Sequence, residues 1–307
     1  MSIWAVILRR LLLMIPTLWI IGTVTFFMMR LAPGGPFLAE REIPAAAREQ
    51  LEHKYGLDQP LHVQYGRFLL NAVRLDFGPS YRFSQKQVSE IIAEAFPVSL
   101  ELGGWALLVA LVVGVPIGVI AALKQNGAWD YFSMAAALIG VSVPNFVLGP
   151  LLVLGFSLTL YWLPPALWQG PESRILPVLT LSGIYLAYIA RLTRAGMLEV
   201  LRQDFIRTAY AKGLPNRVVV IKHALKLGIL PVVSFLGPAA ARVVTGSIVI
   251  ESIFAIPGLG SHLVQGAFNR DYTVVMGVVI FYALFLLLLN LLVDLAYTWI
   301  DPRVEFA

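Results

Sequence analysis

The chain has 307 residues, of which 58% are apolar and only 13% charged, against about 45–50% and about 25% in ordinary soluble domains. So much apolar surface excludes a soluble globular domain and calls for lipid as solvent. The net charge of +5 does not signal nucleic acid, because the 23 basic residues are scattered between apolar runs rather than gathered on one face; the absence of cysteine rules out disulfides, thiolate nucleophiles and cysteine-held metals.

A spanning helix needs roughly 20 apolar residues, and six segments meet that need. The first, residues 11–29, follows Arg9 and Arg10. It is longer than the roughly 7–15-residue core of a signal peptide, and residues 31–36 offer no small-residue cleavage site, so it reads as a retained span. Residues 30–96 carry eight basic and eight acidic side chains. Their turn signals are Pro33, Gly34, Gly35 and Pro36, a polar helical stretch falls at 44–55, and 90–95 leads into the second span at 102–123. An uncharged stretch of 41 residues follows, 131–171, too long for one crossing. Residues 133–160 are its expected membrane part, and 161–171, with Trp162, Trp168 and three prolines, its expected interfacial part. The short fourth span, 175–190, is lengthened by snorkelling Arg174 and Arg191. The fifth, 227–250, is interrupted only by Arg242, and the sixth, 272–293, is uncharged.

Between the fourth and fifth spans, residues 191–228 hold eight basic residues against two acidic ones, a net of +6 in 38 residues. The positive-inside rule places this loop, and by alternation both termini, in the cytoplasm, with 31–96 outside. The expected organisation is an N-terminal segment with the first span (1–30), an extracytoplasmic segment (31–96) and a core of five spans (97–307). No internal repeat supports an inverted-repeat secondary transporter, and only Arg242 approaches the mid-membrane depth that ion coupling requires. The four histidines lack paired metal-ligand spacing, and there is no GxxxxGK[ST] loop, so energy for active transport would come from another polypeptide.

The inner loop contains DFIRTAYAKGLPNRVVVIKHALKLGILP from Asp204 to Pro231. Asp204 as N-cap, Gly213 as C-terminal stop and Pro215 just beyond predict a separate two-turn helix over 205–212. Phe205 and Ala209, and Ile206 and Tyr210, are four apart and make a broad apolar edge, with Arg207 and Ala211 on another side. Such a helix could dock in a partner's groove or rest on anionic lipid through Arg207 and Lys212.

Other candidates lie in and around the spans. Arg242 is expected to line an aqueous path or to snorkel; Glu251, about 180° around the same helix, is a poor partner for it. Glu101 and Asp294 near span ends read as hydrated. Gly114 and Gly118 form a small-xxx-small pair expected to pack between subunits, and Pro116, Pro144 and Pro150 can bend helices. Pro257, Gly258 and Gly260, with His262, Asn269, Arg270 and Asp271, could line an outer mouth, meet a binding protein, or form a plain loop.

The inner loop resembles that of ABC importer permeases, whose pattern is EAA, three residues, Gly, nine residues, then I-x-LP. Gly213 and Ala209 match; Arg207 and Thr208 stand in for the glutamate and first alanine, and only Leu225 agrees in the last element. These departures are themselves similar to the oligopeptide and dipeptide branch. So are MMRLAPGGPF, LDFGPS, FPVSLELG, GVIAALKQNGAWDY, TGSIVIESIFAIPGLG, NRDY and IDPR elsewhere in the chain, which look like the B-type oligopeptide subunit. The resemblance implies an all-α, six-span type I importer fold in a bacterial inner membrane. It also implies four kinds of partner: a homologous permease, two ATPase subunits holding ATP and Mg, an extracytoplasmic peptide-binding protein and a peptide substrate. No cofactor is implied in this chain. By the same resemblance the short helix is the coupling helix, with Ala209 and Gly213 at the close approach and Asp204, Arg207, Thr208 and Lys212 around them. Dipeptide or nickel transport is the alternative within the branch.

Overall fold

The computed structural model describes residues 3–31, 35, 45–82 and 86–300. The expected turn at Pro33, Gly34 and Pro36, and Asp301 to Arg303 of IDPR, lie outside them. Among the described residues the chain is helical, with one isolated antiparallel bridge between Pro79 and Gln87. Among the described residues five helices are long and apolar enough to cross a membrane, and a sharply bent pair supplies a sixth crossing if its two arms count as one. The chain divides into two compact units, Met1–Val98 with Pro257–Ala307, and Ser99–Ile256. This division follows contact and not chain order, because the last helix packs on the first.

In the first unit, α1 (Ile3–Leu31) packs along α13 (Tyr272–Ile300). Arg10 pairs with Asp294 at 2.8 Å, so that carboxylate has a cationic partner rather than water alone. Leu12, Ile15, Trp19 and Met28 remain more than half exposed on α1, as expected of side chains solvated by lipid. Where α1 ends, Phe26 stacks on Phe68 of α3 (Leu61–Val73), with Tyr272, Met276 and Ile280 completing an apolar cluster. Thr23 and Tyr65 share a 2.7 Å hydrogen bond beside it. α2 (Ala45–Lys54) coincides with the expected polar helix, whereas α3 had no counterpart in the sequence reading. α12 (Leu259–Phe268) packs against α13.

The second unit holds most of α4 (Val88–Leu123). It also contains α5 (Ala128–Ser142), α6 (Asn145–Leu152) continuing in wide π-helical turns over Val153–Thr159, α7 (Pro171–Leu201) and α11 (Leu230–Ile253). The expected single segment at 133–160 is broken: α5 and the helix from Asn145 meet at 105°. Val143 precedes Pro144 and is extended at φ −85°, ψ 116°, because a proline ring disfavours the helical region in the residue before it. α7 extends well beyond the expected 175–190 and takes in Arg191 and Arg194, so the inner loop proper begins after Leu201. Gly118 explains part of the packing. A Cβ there would stand 2.5 Å from the Ala190 carbonyl and from Thr193, and one at Gly114 would stand 3.0 Å from Ile189 and the Leu186 carbonyl. This small-residue pair lets α4 approach α7 of the same chain rather than another subunit.

Candidate functional site

The inner loop builds α8 (Asp204–Ala211) where the sequence placed a short helix. Gln203, extended at φ −75°, ψ 150°, is the N-cap, and its carbonyl accepts from Ile206 N at 3.1 Å. Asp204 therefore opens the helix instead of capping it, adding negative charge at the positive end of the dipole and standing 3.6 Å from Arg207. At the other end Gly213 has φ +76°. Its N–H donates to the Tyr210 carbonyl and Leu214 N to the Ala209 carbonyl, the paired closure that a left-handed residue makes possible.

The inner face of α8 seats Ile206, 1% exposed, and Ala209, 6% exposed. They pack with Ala122, Met197, Val219, Val220 and Ala224, so α8 rests on the ends of α4 and α7 and on the chain that follows. That chain runs through α9 (Asn216–Val218), wide π-helical turns at Val219–Ala224 and α10 (Leu225–Gly228) into α11. Tyr210 bridges the two arms by donating to Asn216 Oδ1 at 2.7 Å. The close-approach role assigned to Ala209 is thus corrected: its methyl is used inside this chain. Residues three apart share the inner face of a two-turn helix, and the sequence alone could not say which of its apolar edges turned inward. The outward face carries Phe205 at 41% and Tyr210 at 44% exposure, with Arg207, Thr208 and Lys212 also exposed. Gly213 is exposed, and a Cβ there would meet no atom of this chain within 4 Å.

A buried ion pair stands near this loop. Asp130, 3% exposed, receives two hydrogen bonds from Arg194, at 2.6 and 2.7 Å, and a third from Asn126 N at 3.0 Å. It ties α5 to α7. The signal was a lone acid at the edge of a 41-residue uncharged stretch, which needs a cation once buried. Glu101 likewise has partners, Arg174 at 3.2 Å and the Trp168 indole at 3.2 Å.

The remaining candidates separate. Arg242 is exposed on α11 and forms no ion pair among the described residues. Glu251 is fully buried and accepts from Ser247 at 2.6 Å. Pro257 is exposed, but Gly258 and Gly260 are buried at the start of α12, where Ser261 donates to the Gly258 carbonyl at 3.0 Å. Asp271, 1% exposed, is an anchor and not a mouth-lining group. It accepts from Ser80 Oγ, from Tyr81 N and Arg82 N at 3.2 Å each, from Thr273 Oγ1 at 2.9 Å and from Val274 N at 3.3 Å. Arg270 beside it is half-buried. His262 on α12 is held below its ordinary value, mainly by burial and then by Lys86, with Glu94 opposing.

Residues 114–306 match the family described as binding-protein-dependent transport system inner membrane component, and residues 3–103 match its N-terminal counterpart. Among curated relatives, the chain is 49% identical over 302 residues to the oligopeptide transport system permease protein OppB of Salmonella typhimurium, covering 98% of this chain and 99% of that protein. It is 44% identical over 298 residues to the dipeptide transport system permease protein DppB of Bacillus subtilis, covering 97% of each. Among solved structures, an inward-facing MetNI methionine ABC transporter aligns with a TM-score of 0.59 at 16% identity, over 69% of this chain and 96% of that one. An amino acid ABC transporter aligns at 0.54 and 15% identity, over 68% and 93%. At such identities these two comparisons speak for the fold alone.

Proposed function

Because the chain belongs to the family of binding-protein-dependent transport system inner membrane components, it is a permease subunit of an ABC importer, and we propose that its cargo is oligopeptide. The reading is supported by relatives near 48% identity across almost the whole chain that are named for oligopeptide transport. Its partners are a homologous permease, two ATPase subunits that bind ATP and Mg, and an extracytoplasmic peptide-binding protein. Both termini and the inner loop face the cytoplasm, and the segment around residues 31–96 faces outward.

In this reading α8 is the coupling helix, and one observation carries it: a two-turn helix clamped to its own chain through Ile206 and Ala209 that leaves two aromatic rings and two cations uncovered. The clamp means that a push on the outer face moves α8 together with the α7 end around Met197 and the 219–224 turns as one body. Phe205 and Tyr210 supply contact area in the ATPase groove, while Arg207 and Lys212 orient the approach. ATP-driven closure of the ATPases then biases the spans between outward-open and inward-open states. Arg242 lines the path or meets the sister permease, because no acid among the described residues forms an ion pair with it.

Phe205→Ala tests the coupling face. Permease abundance in the membrane should hold, while ATPase co-purification and peptide uptake fall by roughly tenfold, the effect of losing about 1.4 kcal/mol at an aromatic anchor. Undiminished recovery of the ATPases would remove α8 from the interface. Orientation is read separately in this cysteine-free chain: Glu49→Cys should react with an impermeant thiol reagent from outside, and Lys212→Cys only after the inner face is opened.

A further inference from the structure

The first unit contains a cavity of about 260 Å³ beside the last turn of α1. This is ample room for an ion with its hydration, since one water needs only roughly 10–15 Å³. Among the described residues that line it, three are cations, Arg30, Lys54 and Arg67, against one acid, Asp76. Asp76 is already engaged, accepting from Gly78 N at 3.0 Å, and none of the three cations forms an ion pair among the described residues.

Arg30 is the most constrained of the three. Its Nε and Nη2 both donate to Gln64 Oε1, at 3.0 and 2.7 Å, and its guanidinium lies 4.1 Å from the centre of the Phe26 ring. Gln64 is itself fixed, its amide donating to the carbonyls of Leu57 and Gln59 at 3.0 and 2.7 Å. The result is a guanidinium held rigidly by neutral groups, with Nη1 buried and lacking any hydrogen-bond partner. The guanidinium lines the cavity with no carboxylate among the described residues set against it, a charge that an anion entering the cavity would offset. Tyr81 on the cavity wall does not supply one: burial, opposed by Arg30, pushes its hydroxyl up to about 12, so it stays neutral.

We propose that this cavity is a binding site for a phosphoryl oxyanion, held by Arg30 at its base and by Lys54 and Arg67 at its rim. Guanidinium groups match the geometry of phosphate oxygens, and exposed cations around them draw the anion in. Arg30 lies at the end of the first candidate span, Ile7–Leu31, and where that helix crosses a bilayer its end is brought to the level at which phospholipid headgroups begin. That location favours an anionic lipid as the source of the phosphate, with free inorganic phosphate as the other supplier of the same chemistry.

The test is thermal unfolding of the purified complete transporter with phosphatidylglycerol, with zwitterionic phosphatidylcholine, or with inorganic phosphate. Each condition is repeated for the double variant Lys54→Gln/Arg67→Gln, whose side chains lie at the exposed rim, and for Arg30→Gln. Phosphatidylglycerol should raise the unfolding temperature of the wild type, and the rim variant should lose at least half of that shift. A shift with phosphatidylglycerol and none with inorganic phosphate assigns the lipid; an equal shift with inorganic phosphate assigns the free ion. If phosphatidylcholine stabilises as well, if no anion stabilises, or if the shift is undiminished in the rim variant, the site does not exist. Should Arg30→Gln fail to assemble, the rim variant alone decides.

Discussion

Two short helices, α8 in the inner loop and α12 after the fifth span, end in the same hydrogen-bonded motif but are held in opposite ways. In α8 the residue past the cap is Gly213 at φ +76°, with Leu214 N returning to the Ala209 carbonyl. In α12 it is Arg270 at φ +55°, with Asp271 N returning to the Gly266 carbonyl at 2.8 Å. A left-handed backbone costs a non-glycine residue roughly 1–2 kcal/mol. Glycine avoids that cost locally. Arg270 bears it because Asp271, next in the chain, gathers five donors around one buried carboxylate. The end of α8 is thus set by its own sequence and left open, whereas the end of α12 is set by distant residues and closed.

The largest expected effect breaks the anchored end. Asp271→Ala strands Ser80 Oγ and the N–H of Tyr81, leaving Arg82 N only its bond to Ser80 Oγ, and should cost roughly 3 kcal/mol or more, read as a lower unfolding temperature of the detergent-solubilised permease. Asp271→Asn should recover part of it. A smaller effect sharpens the open end. Since no atom of this chain lies within 4 Å of an added Cβ at position 213, Gly213→Ala and Gly213→Leu should each destabilise the permease by about 1–2 kcal/mol, the backbone cost alone. If α8 meets a partner closely, the leucine variant should lose far more ATPase binding and uptake than the alanine variant. Equal losses would show that the glycine only stops the helix.

Arg270→Gly relieves the strain at α12 and should raise stability by about 0.5–1 kcal/mol; a loss would mean that the arginine side chain is itself part of the anchor. The smallest effect is Arg207→Ala. Its partner Asp204 stands 3.6 Å away with both side chains mostly exposed, a geometry worth at most about 0.5 kcal/mol. Stability should hold, and only the salt dependence of ATPase association should change.

Local physical chemistry was legible in the residues. The membrane segments, the separate inner helix and its stop at Gly213 each follow from what a stretch of chain prefers when solvated by lipid or by water, and that preference is encoded within some twenty residues. Tertiary structure decided what depends on a distant neighbour. Pro144 announces a possible break, but the 105° angle that makes two arms of one expected segment is not written in that stretch. Ala209 could have faced a partner until Met197 and Val219 covered it. Asp130 found Arg194 across 64 residues, and Asp271 found Ser80 across 191; neither acid reveals in its own neighbourhood whether a guanidinium or a set of neutral donors will neutralise its burial. Hydropathy is a property of a segment and survives being read in one dimension. Which face of a helix turns inward, and which charge meets which partner, is a property of pairs that only folding brings together.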